Sequence, residues 1–126
     1  MPLVTLSVLR PKSAAFKDSV LQALHGALVS VGVPETDRFQ RVLELSAEDF
    51  RFDPSYPDVQ GSRTDDFILI EVVLSAGRSV KVKKQFLANL TASLAASGHN
   101  PENVMVVFKE TTWENWAFAG GRQIHV

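Results

Sequence analysis

Residues 3–9 alternate, with Val4, Leu6 and Val8 on one side of an extended chain and Leu3, Thr5 and Ser7 on the other. That is the period of a strand with two different faces. The period then changes. Phe16, Val20, Leu24, Leu28 and Val31 recur at spacings of four and three, with Ala23 and Ala27 between them. This predicts an amphipathic helix of about five turns. Ser13 is placed to cap its start, and Gly32-Val33-Pro34 has the glycine-then-proline order of a helix end. Residues 38–45 alternate again and read as a second strand, which closes a βαβ unit.

The pattern returns about 65 residues later. Residues 67–74 are almost unbroken apolar sequence, as in a strand covered on both faces. Ser79 can cap a helix carrying Val82, Phe86, Leu90 and Leu94, Gly98-His99-Asn100-Pro101 ends it, and residues 104–108 form a fourth strand. Right-handed crossovers would place both helices on one face of a four-stranded sheet. The other face is then bare, and a bare apolar face needs a partner, so an oligomer is expected. The expected fold is α/β: two tandem βαβ units related by an internal pseudo-twofold. Residues 1–46 make the first unit, 66–110 the second and 111–126 a C-terminal segment, all within a single domain of residues 1–126. Between the units, residues 46–65 contain Pro54, Pro57 and Gly61 and read as an irregular connection. Long loops in compact domains are functional or make contacts; Phe50, Phe52 and Tyr56, otherwise exposed, predict an oligomer contact here.

Composition narrows the function. At 126 residues the chain is long enough for a core of its own. Thirteen basic against fourteen acidic residues give a net charge of −1, so no electrostatic footprint points to nucleic acid or an anionic membrane. There is no cysteine, which excludes disulfides, thiolate metal sites and a cysteine nucleophile. His25, His99 and His125 lack metal-ligand spacing, and metal chemistry is not expected. No apolar run approaches the roughly 20 residues of a membrane span. The N-terminus lacks the regions of a signal peptide, so a cytoplasmic location is expected.

Candidate chemistry is concentrated in a few positions. If Met1 is removed, Pro2 becomes a secondary amine at the tip of a buried strand. An α-amino group titrates at roughly 7.7–8.0, and apolar burial lowers that value toward a general base. Pro2 could equally just begin an edge strand, where its missing N–H costs nothing. Arg78 precedes the second helix, and Lys81, Lys83 and Lys84 follow in its first turns. Cations there oppose the helix dipole. Arg78 with the free N–H groups makes a carboxylate or phosphate receptor, unless it only pairs with a neighbouring acid. Asp37 leads into the second strand, where it could hold a cationic Pro2 or activate water, or act as a turn residue. Trp113, Trp116 and Phe118 ahead of Gly120-Gly121 can wall an apolar pocket or belong to a core or interface. His25, one position off the Leu24 face, reads as a half-buried packing residue.

Together these residues resemble the tautomerase superfamily, and within it the branch of malonate semialdehyde decarboxylase and its tautomerase relatives. The matching stretches are Pro2, Gly32-Val33-Pro34 with Asp37-Arg38-Phe39-Gln40, Arg63-Thr64, Ala76-Gly77-Arg78-Ser79, Glu110, Asn115-Trp116-Ala117-Phe118 and Gly120-Gly121. The resemblance implies a homotrimer in which short strands, including residues 122–126, cross between subunits. It implies Pro2 as catalytic amine, Arg78 as carboxylate binder, Asp37 as polar partner or water activator, and Trp116 with Phe118 as pocket wall. Some decarboxylases of this branch carry a second Arg at the position of Ala76, and a Ser is common at that of Ala117. The expected activity is therefore a cofactor-independent tautomerase acting on small oxo-carboxylates, with Pro2, Asp37 and Arg78 catalytic. A malonate semialdehyde decarboxylase or hydratase, or a catalytically silent trimeric binding protein of the same fold, is the alternative.

Overall fold

The computed structural model describes residues 2–126. Strand β1 (Leu3–Leu9) leads into helix α1 (Ala14–Ser30), then strand β2 (Gln40–Leu45). Strand β3 (Ile68–Ser75), helix α2 (Val80–Ala96) and strand β4 (Val104–Thr111) repeat the sequence of elements. The strands lie in the order β2-β1-β3-β4. β1 is parallel to β2 and β3 to β4, while the central pair, β1 with β3, is antiparallel. Two βαβ units thus share one sheet, as expected.

Both helices start on a serine. Ser13 accepts the Phe16 amide at 3.0 Å and Ser79 that of Val82 at 3.2 Å, satisfying donors that the first turn leaves open. Each helix gives way to a glycine in the left-handed region, Gly32 at φ 108° and Gly98 at φ 88°. Ser13 and Ser79 are 66 residues apart, and so are Gly32 and Gly98. That offset is the pseudo-twofold, and it relates the core position by position: Val4 to Ile70, Leu6 to Val72, Leu24 to Leu90 and Leu28 to Leu94. All of these are buried between the helices and one sheet face. Full burial of each large aliphatic side chain contributes about 1.5–3 kcal/mol.

The opposite sheet face is mixed: Leu3, Leu43, Leu69, Val73, Met105 and Val107 lie on it, with polar residues between them. Thr5 and Ser7 occupy its centre, the Arg41 Nε donates to the Thr5 hydroxyl at 2.9 Å, and Lys109 pairs with Glu71 at 2.6 Å. Leu43 and Met105 are exposed among them. Strand ends shift. Arg38 stays in a turn, its N–H donating to Thr36 at 3.0 Å, so β2 starts two residues later than the alternation predicted. β4 runs on through Lys109, Glu110 and Thr111 because β3 is there to pair with them, although nothing apolar marks the extension.

Residues 46–65 contain no strand or helix, but two of the aromatic side chains expected at an oligomer contact are used inside the chain. Phe52 lies 4.3 Å and Phe50 5.7 Å, centroid to centroid, from the buried ring of Phe67. Arg63 ties the loop together. Its guanidinium donates to the Asp53 carbonyl at 2.7 Å and to that of Tyr56, and sits 5.3 Å from the Phe67 ring. The Asp53 carboxylate accepts the amides of Ser55 and Tyr56, which hold its pKa below the usual value. Tyr56 alone of the three is exposed. Among the described residues, no helix is long and apolar enough to cross a membrane.

Candidate active site

Ladder register brings four segments to one end of the sheet. Pro2, buried, stands just ahead of β1. Leu3 faces Val73 across the antiparallel pair, and the Val4 N–H donates to the Phe39 carbonyl at 2.9 Å. Pro2 therefore lies between the end of β3 and the entry to β2. β4 finishes at the same end, with Thr111 opposite Ser75. Met1, on whose removal an amine at Pro2 depends, lies outside the described residues.

Arg78 is carried by the turn that follows β3. The Ala76 N–H donates to the Thr111 carbonyl at 2.7 Å, and Gly77 takes φ 120°, where a side chain would strain the backbone. Arg78 comes next, half-buried, its Nη1 donating to the Ser75 carbonyl at a long 3.4 Å. Ser79 then caps α2, so Arg78 is fixed on both sides by backbone geometry. The first turn of α2 has no acidic residue, and Lys83 is paired with Glu110 of β4. Arg78 has no ion pair among the described residues. Its planar fork is suited to a carboxylate held in two places.

Asp37 closes the turn before β2, its N–H donating to Pro34 at 3.0 Å, and is half-buried. That turn is held from behind by His25. The imidazole is 6% exposed rather than half-buried, and its Nε2–H donates to the Glu35 carbonyl at 2.7 Å. Asp37 precedes Phe39 by two residues, and Phe39 bonds β1 beside Pro2, so both belong to the same corner.

Trp116 and Phe118 leave β4 through a short turn at residues 113–115. Their rings stack at 5.7 Å with a 29° tilt. The Trp116 Nε1–H donates to the Thr111 hydroxyl at 2.6 Å, which orients the indole. His125 continues this aromatic surface, 4.2 Å from Trp113 and edge-on to Phe118 at 5.8 Å. Residues 122–126 form turns, with one antiparallel bridge from Ala119 to Arg122, and are not a strand within this chain. All five candidate residues thus belong to segments that meet at one sheet end. Sequence reading missed Thr111 and the role of His25, because a lone polar residue beyond an apolar run carries no periodic signal.

The pseudo-twofold defines what sits at the other end. Offset by 66 residues, Pro2 corresponds to Ile68, Asp37 to Asn103 and Arg78 to Lys12. Ile68 has no titratable group and lies inside a continuous strand. Asn103 is buried and doubly bonded to Thr64, at 2.9 and 3.0 Å. Lys12 pairs with Asp66 at 3.5 Å. A cavity of about 640 Å³ opens at that end, lined by Phe16, Thr64, Asp66, His99 and Asn103 among others. Its polar groups are engaged with one another: the Ser19 hydroxyl meets His99 Nε2 at 2.6 Å, beside the Lys12–Asp66 and Asn103–Thr64 pairs.

Fold and corner together define a class. The chain belongs to the tautomerase enzyme family, whose pattern residues 37–119 match. A protein named "Probable tautomerase YusQ", from Bacillus subtilis (strain 168), is 27% identical over 124 residues, covering 97% of this chain and 96% of the relative. A malonate semialdehyde decarboxylase, solved wild-type, mutant and inactivated to explain decarboxylase and hydratase activities, superposes with TM-score 0.86 at 28% identity, over 96% of this chain and 93% of that one. FG41 malonate semialdehyde decarboxylase inhibited by 3-bromopropiolate gives TM-score 0.88 at 26% identity, over 98% and 93%. A fused 4-OT wild-type symmetric trimer gives 0.73 at 27%, over 95% and 94%.

The two serine caps offer a matched control for the importance of this corner. Ser79→Ala and Ser13→Ala should each lower stability by about 0.5–2 kcal/mol in urea unfolding, the usual cost of losing a cap. Only Ser79→Ala, next to Arg78, should also weaken binding of a small carboxylate in calorimetry. Equal effects on binding from both would separate Arg78 from the site.

Proposed function

We propose that this chain is a cofactor-independent tautomerase moving a proton between carbon and oxygen in small oxo-carboxylates. The observation that carries the reading is the meeting of Pro2, the Arg78 turn and the Trp116–Phe118 wall at one sheet end. Arg78 binds the substrate carboxylate through its fork. With Met1 removed, Pro2 is a secondary amine whose lone pair takes the proton from the enol oxygen or the α-carbon and returns it to the other position. Asp37, at the same corner, holds or polarises the group that carries the proton. Trp116 and Phe118 cover the apolar side of the substrate and exclude water, which strengthens the charged contacts. The chain functions as a homotrimer. Support comes from the solved fused 4-OT relative, a trimer, and from exposed Leu43 and Met105 on the sheet face away from the helices.

Decarboxylation of a 3-oxo acid is a second reading, favoured by the high structural similarity to the two malonate semialdehyde decarboxylases. It requires a cationic Pro2 to polarise the carbonyl, and it ranks second because Ala76 stands where some decarboxylases of this branch have a second Arg.

Three measurements test these assignments. Protein shown by mass spectrometry to retain Met1 should lose roughly 10²–10⁴-fold in turnover of enolisable oxo acids, the usual worth of a general base. Full activity with Met1 retained would end the proline reading. Arg78→Ala should weaken carboxylate substrates by about 1.5–3 kcal/mol, and Arg78→Lys should recover only part, lacking the fork. Unchanged kcat/KM in Arg78→Ala would move the receptor elsewhere. Sedimentation equilibrium should give three times the chain mass, and a folded monomer at micromolar concentration would contradict the assembly.

A further inference from the structure

Thr111 joins the two sides of the candidate site through separate atoms. Its carbonyl accepts the Ala76 N–H at 2.7 Å and so anchors the turn that carries Arg78. Its hydroxyl accepts the Trp116 Nε1–H at 2.6 Å and donates to the Leu74 carbonyl at 3.3 Å. The hydroxyl proton is committed to the Leu74 carbonyl, so the oxygen presents a lone pair to the indole and fixes which way the indole faces. The indole position is thereby referred to the backbone of β3, one residue before Ser75, whose carbonyl Arg78 contacts.

The internal repeat separates what architecture needs from what this end has added. The residue that corresponds to Thr111 in the first unit is Leu45, and the residue that corresponds to Ala76 is Arg10. The Arg10 N–H donates to the Leu45 carbonyl at 2.8 Å, the same backbone bond as Ala76 to Thr111. Both units therefore use this bond to close the turn after the central strand. Leucine has no hydroxyl, so the side-chain bonds of Thr111 have no counterpart at the end that lacks Pro2, Asp37 and Arg78. The hydroxyl bonds therefore belong to the end that carries the candidate site.

The geometry points to Thr111 as a positioning residue that locks the Trp116 wall to the Arg78 turn and thereby sets the width of the substrate slot. This rests on the tautomerase reading only for the identity of the substrate; the locking itself can be read without turnover. The variants are Thr111→Val, which keeps the β-branched shape and backbone bond, and Thr111→Ser, which keeps the hydroxyl. Each is made in a Trp113→Phe background, so that Trp116 is the remaining tryptophan. In Thr111→Val the Trp116 emission should shift and acrylamide quenching should rise. KM for an enolisable oxo-carboxylate should rise about three- to tenfold, the range of one lost hydrogen bond, with kcat changing less. Thr111→Ser should restore both readouts. Identical quenching in the parent, Val and Ser proteins would overturn the locking, and altered quenching with unchanged KM would overturn its part in substrate positioning. If the parent turns over no oxo acid, the tautomerase reading fails while the quenching comparison still decides the locking.

Discussion

Everything at the candidate site depends on the antiparallel pairing of β1 with β3. Each strand has a parallel partner on its outer side, so neither half can use a hairpin, and the two βαβ units meet only through this central ladder. Leu3 opposite Val73 sets the register. A shift of one residue would turn Val4, Leu6 and Val8 away from the helices and empty the core. The same register sets the start of the chain beside the end of β3, which delivers Arg78, and beside the entry to β2, which follows Asp37. Burial thus decides the chemistry's geometry: the core holds the ladder, and the ladder places residues that the core does not include.

Twofold repetition would by itself produce two equivalent ends. The chain has made them different by a handful of side chains while leaving the backbone alike. Serine caps, positive-φ glycines and the turn-closing backbone bond occur in both halves. At one end Lys12 is paired with Asp66, and Asn103 is bonded to Thr64. At the other, Arg78 has a single long contact to a carbonyl among the described residues, and the Trp116 and Phe118 rings stack beyond the end of β4. Charges and hydrogen bonds that are satisfied internally are unavailable to a ligand. The groups beside the cavity at the first end are already engaged in that way.

Membership of the tautomerase enzyme family agrees with this asymmetry, and its matched segment, residues 37–119, takes in Asp37, Arg78, Trp116 and Phe118. The relatives divide between tautomerase and decarboxylase names while sharing one fold.

Much of this architecture was legible in the sequence. Alternation in residues 3–9, the four-and-three spacing from Phe16 to Val31 and the near repeat of both marked four strands and two helices, because burial on one face must repeat with the backbone. Capping serines and terminal glycines were equally plain, since free N–H groups and left-handed turns admit few residue types. The resemblance to a known family named Pro2, Asp37, Arg78, Trp116 and Phe118. What local pattern could not supply was decided by contacts between distant segments. Strand β4 runs to Thr111 because β3 is there to pair with it, and Phe50 and Phe52 are covered because they pack on the Phe67 ring, just ahead of β3. His25 holds the Asp37 turn, and Thr111 holds the Trp116 indole, through single hydrogen bonds that leave no periodic trace. A hydrogen bond made by a side chain depends on where both partners come to rest, and that is known only once the chain has folded.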